Sequence, residues 1–146
     1  MKQMKQWLLL CCVGALTVPG VQAAPKSTTP STSAPKAAGL SVQGRIVALT
    51  RPPRPGSVPY KDAIIALRLK EVKPLSGKLR AREIVVFAWG MRRNKRTPLA
   101  TYRVGQSVKF MLTPWEKAER KYGSYNRFEL SGDDVYALDT YWGELK

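Results

Sequence analysis

Arg92, Arg93, Lys95 and Arg96 put four cations into five residues, directly after an apolar run that ends in Trp89. An arginine fork holds a carboxylate or phosphate bidentately, so this cluster is the first candidate for chemistry, a patch that grips an anion. A second basic group, Arg51, Arg54 and Lys61, flanks a proline-rich stretch over 51–60. Pro52, Pro53 and Pro55 hold such a stretch extended, and loops on a rigid scaffold commonly carry binding residues. The plainer readings are a solvated hairpin tip, favoured by Asn94 at its centre, and a stiff connector over the end of a barrel.

Aromatic side chains recur near these cations: Trp89, Trp115 and Trp142, with Tyr60, Tyr122, Tyr125 and Tyr141. Rings beside cations stack on sugars or bases. Trp89 lies in an apolar strand and Trp115 on the inward side of a helix, so core packing is expected for both. Trp142, beside Gly143, is the tryptophan expected to be partly exposed and to join the site.

The chain contains no histidine. Ser-His-Asp, Cys-His and His-metal chemistries therefore lack their base or ligand. Glu116, Glu119, Glu129 and Asp133-Asp134 supply carboxylates for a glycosidase pair, but Asp133-Asp134 reads as a turn after Ser131-Gly132 and Glu116 as part of a helix cap. No catalytic residue, metal or cofactor is expected.

These residues need a scaffold, and the hydrophobic pattern supplies one. Residues 41–50 read as a first strand. In 62–72, Ile65, Leu67 and Leu69 share one face while Arg68 and Lys70 take the other. Residues 83–90 are apolar on both faces, as in a central strand. Val108, Phe110 and Leu112 alternate with Lys109 and Met111 in a further strand over 107–113. Thr113-Pro114-Trp115-Glu116 has the form of a capping box with proline at the first helical position, so a short helix is expected through Tyr122, stopped by Gly123. Residues 125–130 read as a fifth strand, and the aromatic stretch 135–145 is expected to pack back on the domain. The pattern predicts a mostly β domain over 41–146, a small five-stranded OB-like barrel with one short helix.

The opening residues read as a secretory signal. Lys2 and Lys5 precede an apolar run over 7–18, then Pro19-Gly20 and Val21-Gln22-Ala23, with cleavage expected after Ala23. Twelve helical residues at about 1.5 Å each fall short of a hydrocarbon core of about 30 Å, so stable membrane insertion is not expected. A lipoprotein would use Cys11, but bulky Leu10 precedes it. Residues 24–40 are rich in Ser, Thr, Pro and Ala and read as a disordered linker. Cys11 and Cys12 are the only cysteines, so cleavage leaves no disulfide in an oxidising compartment. The formal net charge is +15. Residues 41–113 hold sixteen Lys/Arg against three Asp/Glu, and 114–146 hold five against seven. A basic body with an acidic end suggests an anionic partner.

The text PYKDAIIALRLKEVKPLSGKLRAREIVVFAWGMRRNKRTP, then YRVGQSVKFMLTPWEK and LDTYWGE, resembles a module of exported bacterial proteins of the SGNH-hydrolase-like, alginate O-acetyltransferase class. Such a stretch runs from P-Y-x-D-A into a strand, through a glycine and a basic turn to V-V-x-x-W, and from V-G into a strand ending P-W/F-D/E. The resemblance covers roughly residues 59–143. SGNH enzymes need a Gly-Asp-Ser block and an Asp-x-x-His pair, and this chain has neither. The resemblance therefore implies the accessory barrel standing alone, in a cell-envelope polysaccharide setting.

The resulting expectation is a periplasmic or secreted, non-enzymatic module. It would bind an anionic polysaccharide through Arg92, Arg93, Lys95, Arg96, Arg51, Arg54 and Trp142. A nucleic-acid-binding barrel and a module that docks a separate SGNH-type envelope enzyme are the alternatives.

Overall fold

A computed structural model describes residues 39–146. The signal expected over 1–23, and the linker apart from its last two residues, lie outside the described residues. In chain order the elements are β1 (Leu40–Leu49), β2 (Ala63–Ser76), β3 (Ile84–Arg92), β4 (Lys95–Arg96), β5 (Ser107–Pro114), α1 (Trp115–Tyr122), β6 (Asn126–Phe128) and β7 (Thr140–Leu145). A 3-10 turn, Pro98–Thr101, lies between β4 and β5, and another, Asp133–Val135, between β6 and β7. Among the described residues no helix is long and apolar enough to cross a membrane.

Five strands close a barrel. β1 pairs antiparallel with β2 and with β5, and β2 with β3. β7 completes the ring, parallel to β3 and antiparallel to β5. This is an OB-like barrel. The expected five-strand count holds, but the fifth barrel strand is β7. Residues 126–128 form only a short edge strand, β6, parallel to the start of β2.

Alternation assigns the two faces of β2 and β3 to two cores. Ile65, Leu67 and Leu69 of β2 and Ile84, Val86 and Ala88 of β3 point into the barrel, against Val42, Ile46, Val108 and Phe110. Ile64 and Ala66 of β2 and Val85 and Phe87 of β3 face outward. There they are covered by Trp115, Ala118 and Tyr122 of α1, by Val135 and by Trp142 of β7. Both strands are thus buried on two sides, which is why 84–88 is an unbroken apolar run. Gly143 sits where β7 faces inward. A Cβ there would collide with Val86 and stand 2.9 Å from the Phe110 ring.

The helix occupies its expected residues but not with its expected cap. Pro114 is the N-cap residue and no side chain caps the helix. Thr113 and Pro114 are still paired with Trp142 and Tyr141 in the sheet. The chain therefore passes from strand to helix with no free residue to form a capping box. At the other end the Gly123 N–H donates to the Glu119 carbonyl.

Candidate functional site

The expected basic segments do meet. Arg93 and Asn94 form a two-residue hairpin turn between β3 and β4, with φ of 49° and 60°. Both dihedrals lie in the left-handed region that a tight, right-twisted hairpin requires. The turn is pinned to the proline-rich loop. The Arg93 N–H donates to Asp62 Oδ1 at 2.7 Å. The Asn94 N–H donates to the Lys61 carbonyl at 2.7 Å, and Asn94 Oδ1 accepts from the Gly56 N–H at 2.7 Å. Pro52 is buried against β3, 3.1 Å from where a Cβ on Gly90 would lie. Arg51, Arg54, Arg92, Arg93, Lys95 and Arg96 are all exposed. None of their side-chain nitrogens lies within 4 Å of a carboxylate oxygen among the described residues. Loop and hairpin therefore put one end of the barrel under a concentrated positive potential.

Beside this end lies a cleft of about 520 Å³. Trp89, Tyr122 and Tyr125 form its aromatic side, with Arg92 and Lys121 as its cations. Residues 97–99 and 143–145 close the other side, and Glu144 is its one carboxylate. Trp89 is the centre of the rings. Tyr125 meets it edge-on at 4.9 Å, Trp142 at 5.4 Å and Tyr122 at 5.8 Å. Behind it Tyr122 and Trp142 stack at 3.8 Å with an 18° tilt. The Arg92 guanidinium carbon lies 4.7 Å from the Trp89 centroid, and Lys121 Nζ lies 5.0 Å from that of Tyr122. The Lys121 pKa is raised, with Tyr122 the main cause and Glu144 adding to it, against desolvation and repulsion from Arg92. Lys121 therefore stays cationic at neutral pH.

Two tryptophan assignments are reversed. Trp142 is 2% exposed, so it is a buried support rather than a contact residue. β7 lies between β3 and β5, and α1 lays Tyr122 over the Trp142 ring. Trp89, expected in the core, is only partly buried, because its outward position on β3 lies at the edge of the area that α1 covers. Trp115 is buried as expected. Of the expected binding residues only Arg92 lines the cleft. Lys121 and Glu144 line the cleft without being among the expected binding residues. The sequence signal for Lys121 is its place directly before Tyr122, one of the aromatic candidates.

Two of the carboxylates weighed as a catalytic pair are engaged by arginines. Asp134 accepts from Arg68 at 2.6 Å, which lowers its pKa, and Glu129 accepts from Arg127 at 2.6 Å. Arg127 also lies 4.8 Å from the rings of both Phe87 and Trp115. It thereby covers part of the outward face of β2 and β3, the face on which OB folds bind oligonucleotides and oligosaccharides, and leaves beside it only a pocket of about 220 Å³.

The fold and cleft define a class: an OB-like barrel whose strand face is covered by its own chain, leaving an aromatic and cationic cleft at the end of β3. No family model, no curated protein and no solved structure matches the chain.

Proposed function

We propose that this protein is an exported, non-enzymatic module that binds an acidic polysaccharide of the cell envelope or extracellular space. The observation that carries this reading is the pairing of flat aromatic walls, Trp89 and Tyr125, with two cations, Arg92 and Lys121, in one cleft. A pyranose ring offers an apolar C–H face and a rim of hydroxyls, and a uronate adds a carboxylate. The C–H face packs on the exposed ring of Tyr125, the carboxylate meets Lys121 and the Arg92 fork that rests on Trp89, and Glu144 accepts from a hydroxyl. The cleft volume of about 520 Å³ suits a few sugar units rather than an extended strand. The neighbouring hairpin and loop cations draw the polymer in without contacting the bound ring.

The signal-like residues 1–23 support a periplasmic or secreted location, and the resemblance over 59–143 supports the polysaccharide setting. Nucleic acid is the less favoured ligand. Strand-binding barrels stack successive bases along an open face, and here Trp115 and Arg127 occupy that face over Phe87.

The test is a tryptophan-fluorescence titration with a uronate trimer and, separately, single-stranded DNA, at low and high salt. We expect trimer binding to quench Trp89 and to weaken at least tenfold between about 20 and 500 mM salt as the Debye length shrinks. Arg92→Gln should weaken it a further tenfold, about 1.4 kcal/mol. Trimer affinity that ignores salt, or tighter binding of DNA than of trimer, would remove the reading.

A further inference from the structure

We propose that the barrel carries a second polyanion-binding groove at the opposite end of β3, so that one molecule bridges two acidic polymer chains. This rests on the acidic-polysaccharide reading and extends it from a single cleft to a bivalent cross-linker.

The second groove lies between the far half of β2, residues 70–74, and the returning segment 79–83. The two stretches are tied by the Val72 N–H donating to the Arg82 carbonyl at 3.1 Å, and they enclose about 760 Å³. Val72 and Leu79 pack its base onto the barrel core. Five cations, Lys70, Lys73, Lys78, Arg80 and Arg82, lie on this hairpin against two carboxylates, Glu71 and Glu83. Both carboxylates are already paired, Glu71 with Arg45 at 3.5 Å and Glu83 with Arg68 and Lys70. Lys73, Lys78, Arg80 and Arg82 have no carboxylate within 4 Å among the described residues. All four are exposed.

The two basic ends are separate sites. β3 runs from Ile84, next to the second groove, to Arg92, at the first cleft. Eight steps at about 3.3 Å place them about 26 Å apart. The outward face of β2 and β3 between them is covered by α1 and residues 127–135, which bring Glu129, Asp133 and Asp134. Glu129 and Asp134 are paired with Arg127 and Arg68, so this cover breaks the run of free cations between the two ends and gives a polyanion no continuous basic track across the face. The second groove has no aromatic residue among those lining it. It holds charge without stacking a ring, so it discriminates less between polyanions and releases them at lower salt.

Bridging is read by light scattering of full-length protein with long polygalacturonate, alongside a trimer titration of the first cleft. The wild type should give scattering that rises and then falls as protein exceeds polymer. A K73Q/K78Q/R80Q/R82Q variant should keep trimer affinity within about twofold yet lose most of the scattering. A charge-matched control on exposed cations outside both sites, R103Q/K109Q/K117Q/R120Q, should scatter like the wild type; circular dichroism checks that both are folded. Undiminished scattering from the groove variant would overturn the second site, as would an equal loss in the control, which would mean bulk charge alone. If no protein binds the trimer, the first-cleft reading fails and bridging falls with it. That outcome is distinct from an intact trimer curve with unchanged scattering.

Discussion

At the scale of single residues, Arg92 and Trp89 act as a unit. The guanidinium lies over the indole in the free protein, so a carboxylate finds its partner already positioned. Lysine keeps the charge but loses the planar fork and its stacking. Arg92→Lys should therefore weaken uronate trimer binding roughly three- to tenfold, about 1 kcal/mol from the cation–π contact and the bidentate pair; calorimetry on the variant checks this. An unchanged affinity would mean that Arg92 attracts at a distance only. The sequence made the inward residues of β2 legible, because alternation alone separates Ile65, Leu67 and Leu69 from Arg68. It misplaced Trp89 and Trp142 for a common reason. Both lie on the outward face, and their exposure depends on how far α1 reaches, a tertiary fact with no local signature. Lys121 has no distinctive sequence signature, because a cation in the last turn of a helix also has a local explanation, complementing the helix dipole.

At the scale of elements, the hairpin between β3 and β4 depends on the proline-rich loop that holds it. Asn94 supplies a left-handed backbone and an acceptor for the Gly56 N–H. Asn94→Ala loses both, and should cost about 2 kcal/mol and loosen the loop. Thermal unfolding measures the first effect, and faster hydrogen exchange at Gly56 the second. The sequence placed Asn94 in a turn but could not show that this turn docks on residues 54–62, since the link spans nearly forty positions. The missed barrel strand has its own cause. Residues 125–130 contain strand-forming residues, whereas β7 carries Gly143 in its middle, which reads as a break. In the barrel that glycine is required where β7 passes Val86 and Phe110. Gly143→Ala should destabilise the domain by about 1–3 kcal/mol through overpacking, seen as a lower denaturant midpoint.

At the scale of the molecule, the acidic segment after β6 is clamped to the basic barrel strands, and Asp134 with Arg68 is one such clamp. The Asp134 pKa is lowered in the fold, chiefly by its hydrogen bond to Arg68. A depressed carboxylate stabilises above its unfolded pKa, about 3.9, and that contribution is lost as pH falls through the lower folded value. Below about pH 4 the 132–138 segment should loosen, with faster hydrogen exchange at Val135 and Leu138, whose N–H groups bond within it. Asp134→Asn should flatten that dependence. Charge asymmetry between the two parts is plain in composition, but the separation of the free cations into two basic ends is visible only once β3 gives the distance. The parallel pairing of β7 beside β3 has a temporal consequence. A growing chain that has delivered β1, β2, β3 and β5 but not Thr140–Leu145 carries two open sheet edges and cannot shut its barrel. Folding therefore waits on the last barrel strand to be synthesised, and throughout that interval the unpaired edges of β3 and β5 stay open to any factor that holds unfolded chains.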